Sequence, residues 1–421
     1  MPEASFTNLV VVAAIAVAAP MLVGFFPRIR VPAVVLEIVA GIVVGPSGLG
    51  WVEIDEPVEI LALMGLAFLL FLAGLEIDPG RLRGGLLRLA SVGFLVTIVL
   101  GVATGAALDA AGLVESPLLV GIALMATSLG LIVPVLKDAH QADTPLGQLV
   151  IASSSVADFG AVVLLTLLFS GEDTGAGAKL VLLGGFGLLV VAAAVGLSEL
   201  GRSIRLEAVL VRLQDTTAQI RIRIAVLILV AFVALAEQLG LETILGAFLA
   251  GAILNVVDRD AMSTHPHFRI KLEAIGYGFL VPVFFITSGL RFDLQALLDS
   301  PSAIARVPLF LLALVVVRAL PAALYRSTIE PRGAVAAGLL QATSLPFLVT
   351  AVAIGLELGE LSPETGAALV SAGLLSVIVF PIVSLALLRQ PAPTPDESAE
   401  AEPAHEPRPI EQSPGGRGEG P

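Results

Sequence analysis

The chain contains no cysteine, which excludes disulfides and thiolate metal centres. Charge is scarce as well: Asp, Glu, Lys and Arg together make up 14% of 421 residues, against about a quarter in ordinary soluble domains. The four histidines, His140, His265, His267 and His405, all read as loop or tail residues, which argues against a histidine proton relay. The net charge of −13 lies largely in short loops and a C-terminal tail. It therefore makes no single acidic face, and no nucleic-acid partner is expected. No basic residue precedes the first apolar run, so the N-terminus reads as a retained helix and not as a cleaved signal peptide.

What fills the chain instead is apolar: 57% of residues are hydrophobic and the mean hydropathy is +0.97. Such a composition predicts an all-α polytopic protein embedded in a lipid bilayer. Windows of about 20 residues span about 30 Å of hydrocarbon, and about thirteen can be placed. They are 6–26, 31–49, 57–76, 86–110, 117–137, 146–169, 178–200, 219–239, 241–257, 272–290, 306–326, 332–357 and 363–389. Turn chemistry separates them, as in Gly45-Pro46-Ser47-Gly48 and Asp78-Pro79-Gly80.

Basic residues orient the segments, because they collect in cytoplasmic loops. Arg28, Arg30, Arg81, Arg83, Arg88, Lys137, the arginines between 202 and 223, Arg259, Arg269, Lys271, Arg326, Arg332 and Arg389 fall on one side. Lys179, Arg291 and Arg306 fall on the other, which carries acids such as Glu53, Asp55, Glu56, Glu59, Glu357, Glu360 and Glu364. The expected topology in the cell (inner) membrane is N-terminus outside and C-terminus cytoplasmic. Residues 391–421, rich in Pro, Glu, Gly and Ser, are expected to be a disordered cytoplasmic tail beyond a transmembrane domain of residues 1–390. No nucleotide-binding Rossmann domain is expected after the membrane part.

A repeat runs through this pattern. Ala126-Thr127-Ser128-Leu129-Gly130-Leu131-Ile132-Val133 returns as Ala342-Thr343-Ser344-Leu345-Pro346-Phe347-Leu348-Val349, each time inside a long apolar stretch. On the segment count the two copies occupy the fifth and twelfth helices, equivalent positions in two six-helix repeats of opposite topology joined by the seventh. Hydroxyl-rich interruptions at matching points of inverted halves mark crossed, discontinuous helices around a transport site.

Two charges remain at mid-depth, Asp158 in the sixth segment and Arg318 in the eleventh. Each costs roughly 3 kcal/mol or more at a helix centre, so such residues are functional or paired. Ser154 lies one helical turn before Asp158. If the break at Thr127 lies opposite, unwound carbonyls, the Thr127 hydroxyl, Ser154 and Asp158 make an oxygen-only shell suited to a hard monovalent cation, Na+ or K+. The crossing also presents helix-dipole ends to low dielectric. Asp158 compensates the positive ends and Arg318 the negative ones, beside Thr343 and Ser344. A buried Asp–Arg ion pair is the structural alternative for both residues. Glu76, at the cytoplasmic end of the third segment, is either a water-reachable ligand or an interfacial residue near Arg81 and Arg83.

Four ordered stretches add a family resemblance: Leu36-Glu37-Ile38-Val39-Ala40-Gly41-Ile42-Val43-Val44-Gly45-Pro46, Leu69-Leu70-Phe71-Leu72-Ala73-Gly74-Leu75-Glu76-Ile77-Asp78, Leu245-Gly246-Ala247-Phe248-Leu249-Ala250-Gly251 and Phe284-Phe285-Ile286-Thr287-Ser288-Gly289-Leu290. Together they resemble the second branch of the monovalent cation:proton antiporters, which includes sodium/proton exchangers and glutathione-gated potassium efflux systems. The resemblance implies the sodium/proton antiporter fold, a homodimer with a dimerisation panel, and a mobile core containing helices 5, 6, 12 and 13. It implies Asp158 as the ion-binding aspartate and Arg318 as the basic residue of the helix before the second crossing helix. The chain departs from the family at Ala157, where relatives usually carry Asp, Asn or Gln. It departs again at Gln341-Ala342-Thr343-Ser344-Leu345-Pro346, where potassium efflux relatives tend to have Gly-Gly-Glu-Phe.

These features predict a non-enzymatic, secondary-active antiporter without a cofactor, in which Asp158 holds a cation or a proton in turn. With Ala157 beside it, a single carboxylate predicts electroneutral one-for-one exchange. A cation channel would need a continuous pore, and a sodium-coupled organic-anion symporter a roomy cavity. An intramembrane hydrolase would need a Ser-His or paired-Asp arrangement, which the sequence does not offer.

Overall fold

Proline sets many of the helix starts, since its missing N–H costs nothing in a first turn. In the computed structural model, which describes residues 6–25, 32–76, 84–169, 219–257 and 266–388 together with 181, 184–188 and 192, prolines open α5 (Pro117–Met125), α13 (Pro301–Leu314), α14 (Pro331–Gln341) and α15 (Pro346–Glu357). The first half of the chain is completed by α1 (Thr7–Phe25), α2 (Ala33–Val44), α3 (Glu56–Leu75), α4 (Gly84–Ala110), α6 (Leu129–Asp138) and α7 (Pro145–Phe169). The second half contains α8 (Ile220–Gln238), α9 (Thr243–Val257), α10 (Pro266–Ile275), α11 (Val281–Leu290), the short α12 (Leu294–Leu298) and the last helix, α16 (Pro363–Leu388). A π-helical turn, Gly276–Leu280, joins α10 to α11. A second, Val315–Ala319, continues α13 into the 3-10 stretch Leu320–Ser327.

Eight helical spans among the described residues are long and apolar enough to cross a membrane, and Ala33–Val44, Pro117–Val133 and Thr243–Val256 are shorter apolar ones. All the predicted segments but the seventh coincide with helices or pairs of half-helices. Of the seventh, only 181, 184–188 and 192 are described, and these are helical. The tail from 389 onward lies outside the described residues. Three boundaries moved, the eleventh segment beginning at Pro301 and not at 306. The second helix ends at Val44, because the Gly45-Pro46 turn stops it. The tenth begins at Pro266, because Arg269, Lys271 and Glu273 lower the hydropathy of a turn that is nonetheless helical. His267 is therefore a helix residue and not a loop residue.

Polarity is distributed inside out. Val10, Val17 and Phe25 of α1 and Leu95 and Val99 of α4 face outward, while Thr97, Thr127, Ser128, Ser154, Arg318, Gln341 and Ser344 are buried. That is the arrangement expected of a bundle solvated by hydrocarbon. The helices fall into two packed groups. One contains α1–α3 and α8–α11, and the other α4–α7 and α13–α16, with sparse contact between them at α3–α6, α7–α9 and α2–α16. Within the first group backbones approach closely: a Cβ on Gly41 would overlap the Ile286 carbonyl, and one on Gly289 that of Ile38. Only glycine permits α2 and α11 to lie so near each other.

At the end of the bundle read as outer, Glu115 precedes α5 and accepts hydrogen bonds from Ser362 Oγ at 2.7 Å and Thr365 Oγ1 at 3.1 Å. Arg306 Nη1 donates to the same Thr365 hydroxyl at 2.8 Å. Partial burial pushes the Glu115 carboxyl pKa up, but hydrogen bonds from the Ser362 and Thr365 hydroxyls and from the backbone of Glu115 and Ser362 outweigh it and hold the group below its ordinary value. This clasp ties the start of α5 to α13 and α16. On the same side, Arg291 pairs with Glu59.

Candidate functional site

The first crossing grows out of helix-end chemistry. α5 stops at Met125, Ala126 and Ser128 are extended or nearly so (φ/ψ −75°/160° and −132°/76°), and α6 starts at Leu129. A new helix start leaves amides without intrahelical acceptors, and here a side chain from another helix supplies the acceptor. Asp158 Oδ1 accepts from Thr127 N and Thr127 Oγ1, both at 2.8 Å, and Oδ2 lies 3.4 Å from Leu129 N. The carboxylate thus caps α6 from α7, where the helix dipole favours an anion.

A carboxylate offers about four acceptor positions. Oδ1 has both of its own occupied, whereas Oδ2 makes one long contact. The spare capacity of Oδ2 is available for a proton or a cation. Asp158, Thr127, Ser128 and Tyr277 line a cavity of about 60 Å³ whose other walls are apolar, including Phe248 and Phe285. It has room for a few water molecules. Phe159, the next residue, stacks on Phe248 with centroids 5.8 Å apart, one of the places where α7 meets α9. Among the described residues no three His, Asp or Glu side chains group to chelate a metal. The oxygen donors present suit a hard monovalent ion.

The second crossing uses the same sequence and different ligands. α14 ends at Gln341 and α15 starts at Pro346, with Leu345 at φ/ψ −140°/−59°. Here the break is enforced by proline, which disfavours helix at the residue before it. Leu345 N donates to Ser128 Oγ at 3.0 Å, so one break is hydrogen-bonded directly to the other. Ser344 N donates to Ser376 Oγ at 3.1 Å, and that hydroxyl in turn donates to Ser344 O at 3.2 Å and Gly373 O at 2.7 Å.

Arg318, 2% exposed, faces the carbonyl end of α14. Its Nε is 3.4 Å from Gln341 O and its Nη1 3.3 Å from Thr97 Oγ1, while Nη2 has no partner among the described residues. No Asp158–Arg318 ion pair within 4 Å is formed: each charge sits at its own helix end. Tyr325 OH bridges Ser153 Oγ at 2.8 Å and Gln341 Oε1 at 3.1 Å, linking the Asp158 helix to the second broken helix.

The expected ligands are placed unevenly. Thr127 and Asp158 touch. Ser154 is fully buried one turn from Asp158, and its Oγ has no partner among the described residues. The groups facing the carboxylate from the break are amides and a hydroxyl, where carbonyls were expected. Thr343 Oγ1 lies 3.4 Å from Leu339 O, and Ser344 Oγ has no partner among the described residues. Glu76 ends α3 with one oxygen 3.6 Å from Arg269 Nη2 and the other buried and without a partner among the described residues. Its neighbour is thus Arg269, while Arg81 and Arg83 lie outside the described residues. Sequence reasoning missed Ser128, Gln341, Ser376 and both tyrosines. Ser128 was signalled by the repeat itself, as the counterpart of Ser344. The tyrosines were signalled by rarity, being two in 421 residues.

A family model described as "Sodium/hydrogen exchanger, transmembrane" matches residues 12–390. Among curated proteins, the chain is similar to YjbQ of Bacillus subtilis, 31% identical over 399 residues that cover 91% of this chain and 63% of that one. The chain therefore spans less than two thirds of that relative's length. It is 29% identical over 386 residues to the Na+/H+ antiporter NhaS4 of Synechocystis, covering 84% of this chain and 90% of the relative. Among solved structures, the sodium proton antiporter MjNhaP1 of Methanocaldococcus jannaschii superposes with a TM-score of 0.66 at 18% identity, covering 91% of this chain and 99% of that one. That likeness establishes a shared fold.

Proposed function

The chain belongs to the sodium/hydrogen exchanger family, and we propose that it exchanges Na+ or K+ for H+ across a membrane by alternating access to Asp158. The observation that carries this reading is the Asp158 carboxylate itself, fixed by Thr127 and Leu129 at a helix break and facing a small cavity with one oxygen underused. A dehydrated cation and a proton compete for that oxygen. Whichever is bound neutralises the carboxylate, so the loaded core crosses low dielectric more easily than the empty, charged one.

Thr127 orients the carboxylate. Ser154, with an uncommitted hydroxyl one turn away, supplies a further oxygen when the ion is bound. Glu76 stands at the inner approach as a collecting carboxylate. The group α4–α7 with α13–α16 is the moving core. The group α1–α3 with α8–α11 is the fixed panel, through which two copies associate in the inner membrane with N-termini outside and C-termini cytoplasmic. The residues after 390 act as a solvated tail.

A cavity of about 60 Å³ is far below the several hundred typical of sites for organic ligands, which disfavours an organic-anion symporter. The test is proton flux in everted vesicles or proteoliposomes, read with a pH dye, on adding each alkali cation in turn. Cation-driven alkalinisation or acidification supports exchange. Cation flux that leaves lumen pH unchanged without protonophore rejects it.

A further inference from the structure

Between Asp158 and the end of the molecule rich in Arg and Lys stands Tyr277, one of the chain's two tyrosines. It sits in the π turn that joins α10 to α11. Such a turn shifts side chains out of α register and is frequent at functional positions. Its hydroxyl makes no hydrogen bond with any described residue, yet it borders the same cavity as the Asp158 carboxylate.

Opposite it is Gly130, in the first turn of α6, two residues past the break. A Cβ placed on Gly130 lies 3.2 Å from Tyr277 Oη. The tyrosine therefore rests against bare backbone, at a point where the two helix groups meet. Toward the surface, Glu273 and Arg269 lie on the α-helical turns that lead into the π turn, and both are near enough to act electrostatically on Tyr277. Arg269 reaches both Glu273, at 2.7 Å, and Glu76, at 3.6 Å. Ala73, one turn before Glu76, also lines the cavity. A polar line thus runs from the surface, past Arg269 and Glu76, to Tyr277 and then Asp158. The cavity is small and mostly apolar, so a cation entering it exchanges part of its water shell for the Tyr277 hydroxyl.

We propose that Tyr277 Oη is the last ligand a monovalent cation meets on the inner approach to Asp158, and that Tyr277 and Gly130 together set the width of that passage. The inference rests on Asp158 being the exchange site, and it assigns to Tyr277 selection by size and dehydration.

The test uses reconstituted full-length protein and cation-dependent proton flux with Na+, K+ and Rb+. Tyr277→Phe is expected to raise the apparent KM for the preferred cation about five- to tenfold, in line with the loss of one hydrogen-bond-strength contact, and to narrow the spread of KM among the three ions. Gly130→Ala and Gly130→Val should lower the maximal rate progressively, and Tyr277→Phe should restore part of it in the double variants, because it removes the atom that the new Cβ meets. Unchanged KM in Tyr277→Phe, or additive losses in the doubles, overturns the proposal.

A second measurement does not depend on transport. The chain has no cysteine, so Ala73→Cys gives a single label site. Tyr277→Ala should speed its reaction with an impermeant thiol reagent applied to inside-out vesicles, and equal rates would also overturn the proposal. Asp158→Asn separates the two readings. Residual exchange in that variant defeats the exchange site itself, whereas a dead Asp158→Asn beside an indifferent Tyr277→Phe defeats only the passage.

Discussion

The two crossings share the run Ala-Thr-Ser-Leu and do different things with it. At the first, the freed amides of Thr127 and Leu129 are answered by an ionisable group, Asp158, which borders a cavity. At the second, the freed amides of Ser344 and Leu345 are answered by neutral hydroxyls, Ser376 and Ser128, and the carbonyl end is answered by a buried arginine. The second break is enforced within the chain by Pro346, and its carbonyl end is compensated by Arg318. The break at Ala126–Ser128 has no proline within it and is held by the carboxylate. A repeat therefore supplies two equivalent frames, and on the proposed function the side chain aimed at each makes one frame a site and the other a support.

This division can be broken most severely at Asp158. Asp158→Asn should abolish cation-dependent proton flux while the purified protein keeps a near-normal size-exclusion profile, because the amide keeps the shape but cannot hold proton and cation in turn. Retained flux would return the two crossings to equal standing. At the support, Arg318→Ala should cost about 3 kcal/mol, since Gln341 O and Thr97 Oγ1 lose a buried charged donor. Arg318→Lys should recover part of the loss in a thermal melt. Normal melting with absent transport in Arg318→Ala would place the arginine in the ion site.

Ser128→Ala removes the only bond among the described residues that joins the breaks directly, Leu345 N to Ser128 Oγ. It should lower stability by about 1 kcal/mol and slow transport more than it weakens cation affinity. Thr127→Ala and Ser154→Ala should do the opposite, raising apparent KM several-fold with a smaller change in maximal rate. If both leave KM unchanged, the cation binds elsewhere.

The smallest effect belongs to the outer clasp. Glu115 has its carboxyl pKa held below the ordinary glutamate value, so its ionised form contributes stability above that value and loses it as pH falls through the lowered one. Glu115→Gln should cost under about 1 kcal/mol at pH 7, and its melting difference from the parent protein should vanish in acid. A difference that persists there would mean that the hydroxyl bonds, and not the charge, stabilise the clasp.

Much of this was legible in the chain, because the bilayer imposes length and apolarity on each span and the repeat fixes two breaks by symmetry. Asp158, Thr127 and Arg318 stood out because little else at mid-depth is charged or sits at a break. What stayed hidden depends on where a chain points once periodicity stops. In a non-helical stretch the 3.6-residue rule no longer assigns faces, so nothing distinguished Ser128, which reaches the other break, from Thr127, which reaches Asp158. Gln341 acts through its backbone carbonyl as well as its side chain, which composition cannot reveal. Tyr277 was hidden by a π turn that shifts register, and the start of α10 by charges that lower hydropathy without ending a helix.

The single-carboxylate mechanism at the first crossing is tested most directly by charge movement. One Asp158 carrying either one proton or one monovalent cation, with Ala157 beside it and Arg318 charged throughout, moves no net charge per cycle. Solid-supported membrane recording on proteoliposomes given a cation jump should therefore show no sustained current, although the same vesicles exchange protons in a pH-dye assay. A sustained current that scales with reconstituted protein and disappears in Asp158→Asn would contradict the account and require a second titrating acid, with Glu76 the first to replace.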